Sequence, residues 1–202
     1  MRMNFIIYIN SNWGLNLNRK NQLEYLISKG LSSNSSFLDY GCGAISAGRF
    51  FIDFLDKKKY IGIDISSSVI EEAKKRIIRF NLLDKDPLLF LAKGGKIENL
   101  PIKSFDFIWA QSVLTHMPPE SVHSMFRQIS IYMEDSTKFY FTFTQIKKNI
   151  RHKNFKDWAY SMDTLTKIAE KYNLVLSLET DWKHIDEDET SLNDAMVLAR
   201  LG

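Results

Sequence analysis

Apolar positions along this chain recur with two periods, and the switches between them mark out its elements. Leu23, Leu26 and Ile27 fall at helical spacing and Gly30 suits a stop, which predicts a helix from about Arg19 to Leu31. After the polar linker Ser32 to Ser36, Phe37 to Tyr40 reads as a short buried strand. Ala47 to Leu55 sets Phe50, Phe51, Phe54 and Leu55 on one helical face, and Tyr60 to Asp64 reads as a second strand. Ser66, Ser67 and Ser68 can cap a helix running to about Leu82, with Val69, Ile70, Ala73, Ile77 and Phe80 inward. Leu88 to Ala92, Phe105 to Ala110 and Lys138 to Thr144 read as further strands. Between the last two, Pro118 and Pro119 precede a helix from about Glu120 to Met133.

The pattern breaks over residues 145–160, a stretch rich in Lys, Arg, Asn and His that reads as an irregular insertion. A helix from Met162 to Tyr172 follows, then strands from Leu174 to Leu178 and from Ala195 to Leu201 with no helix between them. Strands that alternate with helices imply a mostly parallel sheet covered on both faces, and the two adjacent strands at the end imply an antiparallel pair. The expectation is a single α/β domain with a doubly wound, seven-stranded sheet, residues 23–202, preceded by a separate N-terminal segment, residues 1–22.

Composition narrows the classes. The chain has 202 residues, 45% apolar and 25% charged, as expected of one globular domain. A net charge of +3 is too small to argue for nucleic acid without a concentrated basic face. The single cysteine, Cys42, excludes an internal disulfide and a cysteine-built metal site, so no metal is expected. The apolar run from Phe5 to Ile9 is too short for a signal-peptide core or a membrane span, and no later run is longer, so a cytoplasmic protein without membrane contact is expected.

The chemistry concentrates at two strand ends. Phe37-Leu38-Asp39-Tyr40 runs directly into Gly41-Cys42-Gly43, and about twenty residues later Tyr60-Ile61-Gly62-Ile63 ends in Asp64. A strand, a glycine turn, a helix and a strand with a terminal acid form a nucleoside-binding βαβ unit, in which the acid meets ribose hydroxyls. A dinucleotide site needs its third glycine to seat a pyrophosphate, and Gly48 falls two residues too late for G-x-G-x-x-G counted from Gly41. The spacing therefore points to a ligand carrying a ribose, and the misplaced third glycine disfavours a dinucleotide.

With these residues in place the chain resembles the class I S-adenosylmethionine-dependent methyltransferases, from Leu23 to the C-terminus. Four stretches carry the likeness: Leu38 to Gly43, Tyr60 to Ser66, Ile97-Glu98-Asn99-Leu100-Pro101 with Ser104 to Ile108, and Gln111 to Met117. The resemblance implies a Rossmann-like fold, S-adenosylmethionine as cofactor, and cofactor contacts at Asp39, Gly41, Cys42, Gly43, Asp64, Ile65, Ile97, Gln111 and Ser112. Asp39 would either hold the turn or reach the cofactor's ammonium. Many relatives carry an acid one position before Ile97 to accept from the adenine amino group. This chain has Lys96, a donor only, so the backbone of Ile97 or the side chain of Glu98 would take that role.

Methyl transfer from a sulfonium is an in-line displacement that needs alignment and sometimes a base. His116, His184 and Tyr160 are the candidates for base or acceptor contact, with Trp158 beside Tyr160, and the 145–160 insertion would cover the acceptor side. Lys147, Lys148, Arg151, His152, Lys153 and Lys156 form either an anion-capturing cluster or a solvated loop, which Asp186 to Glu189 can neutralise. No Asn/Asp-Pro-Pro-Tyr/Phe motif follows the fourth strand, and no separate RNA-binding module is present. The leading expectation is transfer to oxygen, less readily nitrogen, of a small molecule or cell-surface sugar by a monomer or homodimer. The alternatives are a binding protein that kept the fold without catalysis, an RNA methyltransferase and, more remotely, a nicotinamide dehydrogenase.

Overall fold

The computed structural model describes residues 13–98, 100–147, 150–153, 157–182 and 194–202. Five helices and nine strands appear among them. They run α1 (Trp13–Ser28), β1 (Phe37–Tyr40), α2 (Gly48–Phe54), β2 (Tyr60–Asp64), α3 (Ser67–Arg79), β3 (Leu88–Leu91) and β4 (Phe107–Ala110). Then follow α4 (Pro119–Ser130), β5 (Lys138–Gln145), β6 (Ile150–Lys153), β7 (Asp157–Tyr160), α5 (Met162–Ala169), β8 (Leu174–Glu179) and β9 (Asp194–Leu201).

The sheet runs β3-β2-β1-β4-β5, all parallel, and continues from β5 through antiparallel β9 to β8. Every residue of β1 and β4 is buried, which is the burial a parallel strand needs when helices cover both faces. Successive residues serve opposite faces. Phe37, Phe107, Trp109, Tyr140 and Leu198 pack with Leu26, Phe51 and Ala73 of the first three helices. Leu38, Ile61, Ile108, Phe139 and Phe141 pack with Met125, Phe126, Leu165 and Ile168 of the last two. Phe37 stacks on Phe51 with ring centroids 4.7 Å apart, and Asp106 accepts from the backbone and hydroxyl of Ser36, tying the starts of β1 and β4 together. The Ser104-Phe105-Asp106 part of the third stretch thus serves the fold.

Two sequence expectations are corrected. The stretch read as an irregular insertion holds two strands: β6 and β7 form an antiparallel hairpin, with Lys153 opposite Asp157 and Ile150 opposite Tyr160. That hairpin raises the strand count from seven to nine. Its place follows from the register. β9 occupies one edge of β5 as far as Thr144, while β4 occupies the other only as far as Phe141. β7 pairs in parallel with Thr144 and Gln145, so it takes the edge that β4 leaves free. The hairpin therefore stands over the carboxyl end of β4. The first helix also begins earlier than its apolar spacing suggests, at Trp13, and ends at Ser28.

Candidate active site

Parallel α/β sheets present their ligand crevice at the carboxyl ends of the strands, where the chain order reverses. Here the reversal lies between β1 and β4, and one cleft opens there while a second opens at the carboxyl ends of β2 and β3. The larger, about 220 Å³, is lined by Asp39, Gly41, Cys42, Gly43, Ser46, Gly48, Trp109 and Gln111, with Arg19 and Gln22 reaching over from α1. The smaller, about 80 Å³, is lined by Ile63, Phe90, Lys93, Lys96, Ile97, Glu98 and Leu100. Ile63 of the smaller cleft accepts through its carbonyl from the N–H groups of Gly41 and Cys42 of the larger.

The turn is built for close approach. Gly41 has φ +76°, and a Cβ there would stand 2.6 Å from Val113 Cγ2, so this position excludes any side chain on both counts. Gly43 has φ +54° and nothing within 4 Å of where its Cβ would be, which leaves its backbone open to a ligand. Its N–H donates to Asp64 Oδ2 at 3.1 Å, and the N–H of Ser66 donates to Asp64 Oδ1 at 2.9 Å. Both carboxylate oxygens are thus fixed at the end of β2 while each keeps a lone pair for a further donor. Ile65, next along, is 71% exposed, an apolar surface beside the acid with nothing yet packed on it.

Asp39 is buried and accepts from the Tyr60 hydroxyl at 2.6 Å. Burial pushes its carboxyl up to about 7, against the pull of the Tyr60 hydrogen bond, and the Asp64 charge adds to the rise. Cys42 is buried, and burial, with Asp39 and Asp64 nearby, pushes its thiol far up. A thiol held neutral is a poor nucleophile.

On the β4 side, Gln111 lines the larger cleft, and its amide donates to Ser112 Oγ at 2.6 Å. Ser112 has φ +56° and its N–H is held by Thr142 Oγ1 at 2.8 Å, which turns the chain sharply after Ala110. On the far side, Ile97 does line the smaller cleft, but its N–H donates to Gln128 Oε1 at 2.7 Å. The same side chain donates to the Gly95 carbonyl at 2.9 Å. Gln128 of α4 thus clamps the loop and takes up the Ile97 N–H, and the Ile97 carbonyl and the Glu98 side chain remain as the acceptors at this cleft.

The three candidate catalytic residues fare differently. His116 sits on a single helical turn, Leu114–His116, with Nδ1 3.1 Å from Asp157 Oδ1 of the hairpin. Tyr160 is fully buried and donates its hydroxyl to the Met117 carbonyl, which anchors the hairpin. Burial, with the Glu120 charge nearby, pushes that hydroxyl far up. His184 lies outside the described residues, as do Asn99, Lys148, Lys156 and Asp186 to Glu189. Arg151, His152 and Lys153 are described only as members of β6. Among the described residues no group of three or more His, Cys, Asp or Glu gathers that can hold a metal ion, and no helix is long and apolar enough to cross a membrane.

Arg19, Gln22, Tyr60 and Gln128 escaped the sequence reading. Arg19 and Gln22 share the helical spacing of Leu23 and Leu26, which marks a helix but gives no sign of what its polar face meets. Tyr60 and Gln128 act across the fold, 21 and 31 residues from the groups they hold.

Comparison with known proteins agrees with this geometry. A family model described as a methyltransferase domain matches residues 38–138, half of the chain. A probable methyltransferase, ltbC, of Aspergillus luteorubrus is 31% identical over 85 residues, which is 41% of this chain and 30% of that protein. The match thus spans under a third of that relative's length. Among solved structures, magnesium protoporphyrin IX methyltransferase from Synechocystis PCC 6803 with bound S-adenosylmethionine superposes with a TM-score of 0.70 at 15% identity, covering 94% of this chain and 81% of that one. The glycopeptide N-methyltransferase MtfA, also with S-adenosylmethionine, gives 0.71 at 11% identity, covering 94% of each chain. At these identities the likeness is one of fold.

Proposed function

The chain belongs to the methyltransferase domain family, and from that premise we propose that it binds S-adenosylmethionine across the two clefts and passes the methyl to an oxygen of a small molecule or sugar. The observation that carries the reading is the Gly43–Asp64 pairing. An open glycine backbone and a carboxylate fixed by two amides sit side by side at the reversal point of the sheet. In this reading Asp64 accepts the ribose hydroxyls, and Ile65 packs on one face of the adenine. Glu98 accepts from the adenine amino group in place of the missing acid at position 96. Asp39 and Gln111 face the methionyl ammonium, and Arg19 offers a guanidinium to the methionyl carboxylate.

The cofactor supplies an activated methyl. The protein's part is to hold the sulfonium in line with the acceptor and exclude water. The β6–β7 hairpin covers the carboxyl end of β4, where the acceptor would enter, and leaves a small acceptor as the best fit. Oxygen is favoured because His116, oriented by Asp157, can take a hydroxyl proton. With Nδ1–H donated to the carboxylate, the lone pair of Nε2 is free to act as base.

Methyl-labelled S-adenosylmethionine incubated with the protein and a fractionated metabolite extract tests the substrate class. Label is expected in the low-molecular-weight fraction, in a bond stable to mild acid as an ether is. Label confined to RNA, or to amines, would overturn the acceptor assignment.

A further inference from the structure

Asp39 at the larger cleft is half of a buried acid–phenol pair that the ribose and adenine contacts do not use. Tyr60 opens β2 and Asp39 lies in β1, and both side chains are buried, at 2% and 6% exposure. The Tyr60 hydroxyl donates to Asp39 Oδ2 at 2.6 Å, while Asp39 also lines the cleft. Gly48 is shaped around the pair. A Cβ there would overlap the Tyr60 hydroxyl and stand 3.2 Å from Asp39 Oδ2. This accounts for a glycine placed two residues too late to serve a pyrophosphate.

We infer that Tyr60 is a positioning residue for cofactor capture: it holds one oxygen of Asp39 so that the other faces the methionyl ammonium as a carboxylate, and it sets the pH at which the cleft becomes competent. The inference rests on the proposed reading of this cleft as the methionyl end of an S-adenosylmethionine site. A hydrogen bond donated to the charged form of an acid favours that form. The Tyr60 hydrogen bond opposes the burial acting on Asp39. The titratable groups around Asp39 are Tyr60 and Asp64 of β2, Cys42 in the glycine turn and Arg19 of α1 at the rim. Asp64 raises the Asp39 carboxyl and Cys42 stays neutral. An incoming ammonium stabilises the carboxylate, so binding below neutral pH expels a proton from Asp39.

S-adenosylhomocysteine is the probe, because it carries the same amino-acid tail without the labile methyl. Its affinity is measured by isothermal titration from pH 5.5 to 8.5 for the parent protein, Tyr60→Phe and Asp39→Asn. For the parent, affinity is expected to rise through about pH 7 and level off. Tyr60→Phe keeps the ring and its packing, and its midpoint is expected about one pH unit higher, a roughly tenfold change in the proton's equilibrium. That makes the variant roughly eightfold weaker than the parent at pH 6.5, with the gap closing towards pH 8.5. The probe's own amine titrates alike for both proteins and cancels in the ratio. Asp39→Asn, with no charge to switch, is expected to bind weakly with the pH rise removed. A Tyr60→Phe profile parallel to the parent's at every pH would overturn the inference and leave the site reading standing. Absence of binding by the parent at every pH would overturn both.

Discussion

Asp39 and Asp64 stand 25 residues apart in sequence and at neighbouring strand ends, yet their surroundings set them to different tasks. Asp64 is half-exposed and held by two backbone amides. Asp39 is buried at the wall of the larger cleft with one oxygen held by the Tyr60 phenol. The ordinary value for its carboxyl is 3.8 and burial raises it to about 7, so the fold binds the proton more tightly than the unfolded chain. That contribution to stability is fully present below about pH 4 and is lost as pH rises through 7. Asp39→Asn is therefore expected to melt higher than the parent at pH 8 and to match it near pH 4. The gain at pH 8 is on the order of 2–4 kcal/mol, read from thermal unfolding at the two pH values. Gly48→Ala is expected to do the opposite. Its methyl displaces the Tyr60 hydroxyl, costing about 1–3 kcal/mol in urea unfolding along with cofactor affinity. At this scale Asp39, Gly41, Gly43 and Asp64 were legible because strand ends and turn glycines announce themselves over a few residues. Tyr60 was visible only as a strand residue, since nothing local to it names Asp39 as its partner.

The element that the sequence pattern hid is the β6–β7 hairpin. Its two strands are four residues each and hold to the sheet by two register pairs on β5, so they need little apolar alternation to form. The run Lys147 to Lys156 therefore shows its charges and conceals its backbone pairing. Two contacts fix the hairpin to the chain after β4: the Tyr160 hydroxyl on the Met117 carbonyl and Asp157 on His116. Removing the first with Tyr160→Phe is expected to cost about 1 kcal/mol in urea unfolding. It should also speed hydrogen exchange in residues 157–160 more than in β1. An unchanged exchange rate there would show that the hairpin does not depend on this anchor. By contrast β1, β2, β4 and α3 were read nearly to their ends. Their burial is two-sided or strictly amphipathic, and hydrophobic period is what a sequence displays most plainly.

For the molecule as a whole, the parallel sheet brings Asp39, the glycine turn, Asp64 and Gln111 to one end, and α1 reaches over the larger cleft with Arg19 and Gln22. α1 is fastened to the far end of the domain. Lys29 pairs with Glu179 and with Asp181, the Tyr25 hydroxyl donates to Glu179 at 3.1 Å, and Tyr25 packs edge-on against Trp182 at 4.8 Å. Trp182 in turn meets the ring of Trp109, a residue of the cleft wall. This chain of contacts sets Arg19 and Gln22 over the glycine turn. Long-range docking of this sort has no local signature, which is why residues 1–22 read as a segment apart while two of them line the larger cleft. Because the ligand would bridge α1, β1, β2 and β4, it should stabilise the whole fold. At a concentration a hundred times its dissociation constant the gain is about 2.7 kcal/mol, which for a chain of this size raises the melting temperature by about 5–10 °C. Glu179→Gln, which weakens the hold on α1 without touching the cleft, is expected to reduce that rise.

The most direct measurement is a titration of the protein with S-adenosylmethionine at pH 7.5, beside the same titration of Asp64→Ala. Saturable one-to-one binding by the parent, weakened at least tenfold when the ribose acid is removed, is the expected result. Binding that is absent in the parent, or unchanged in Asp64→Ala, would contradict a nucleoside site at the Gly43–Asp64 pair and with it the function assigned to this fold.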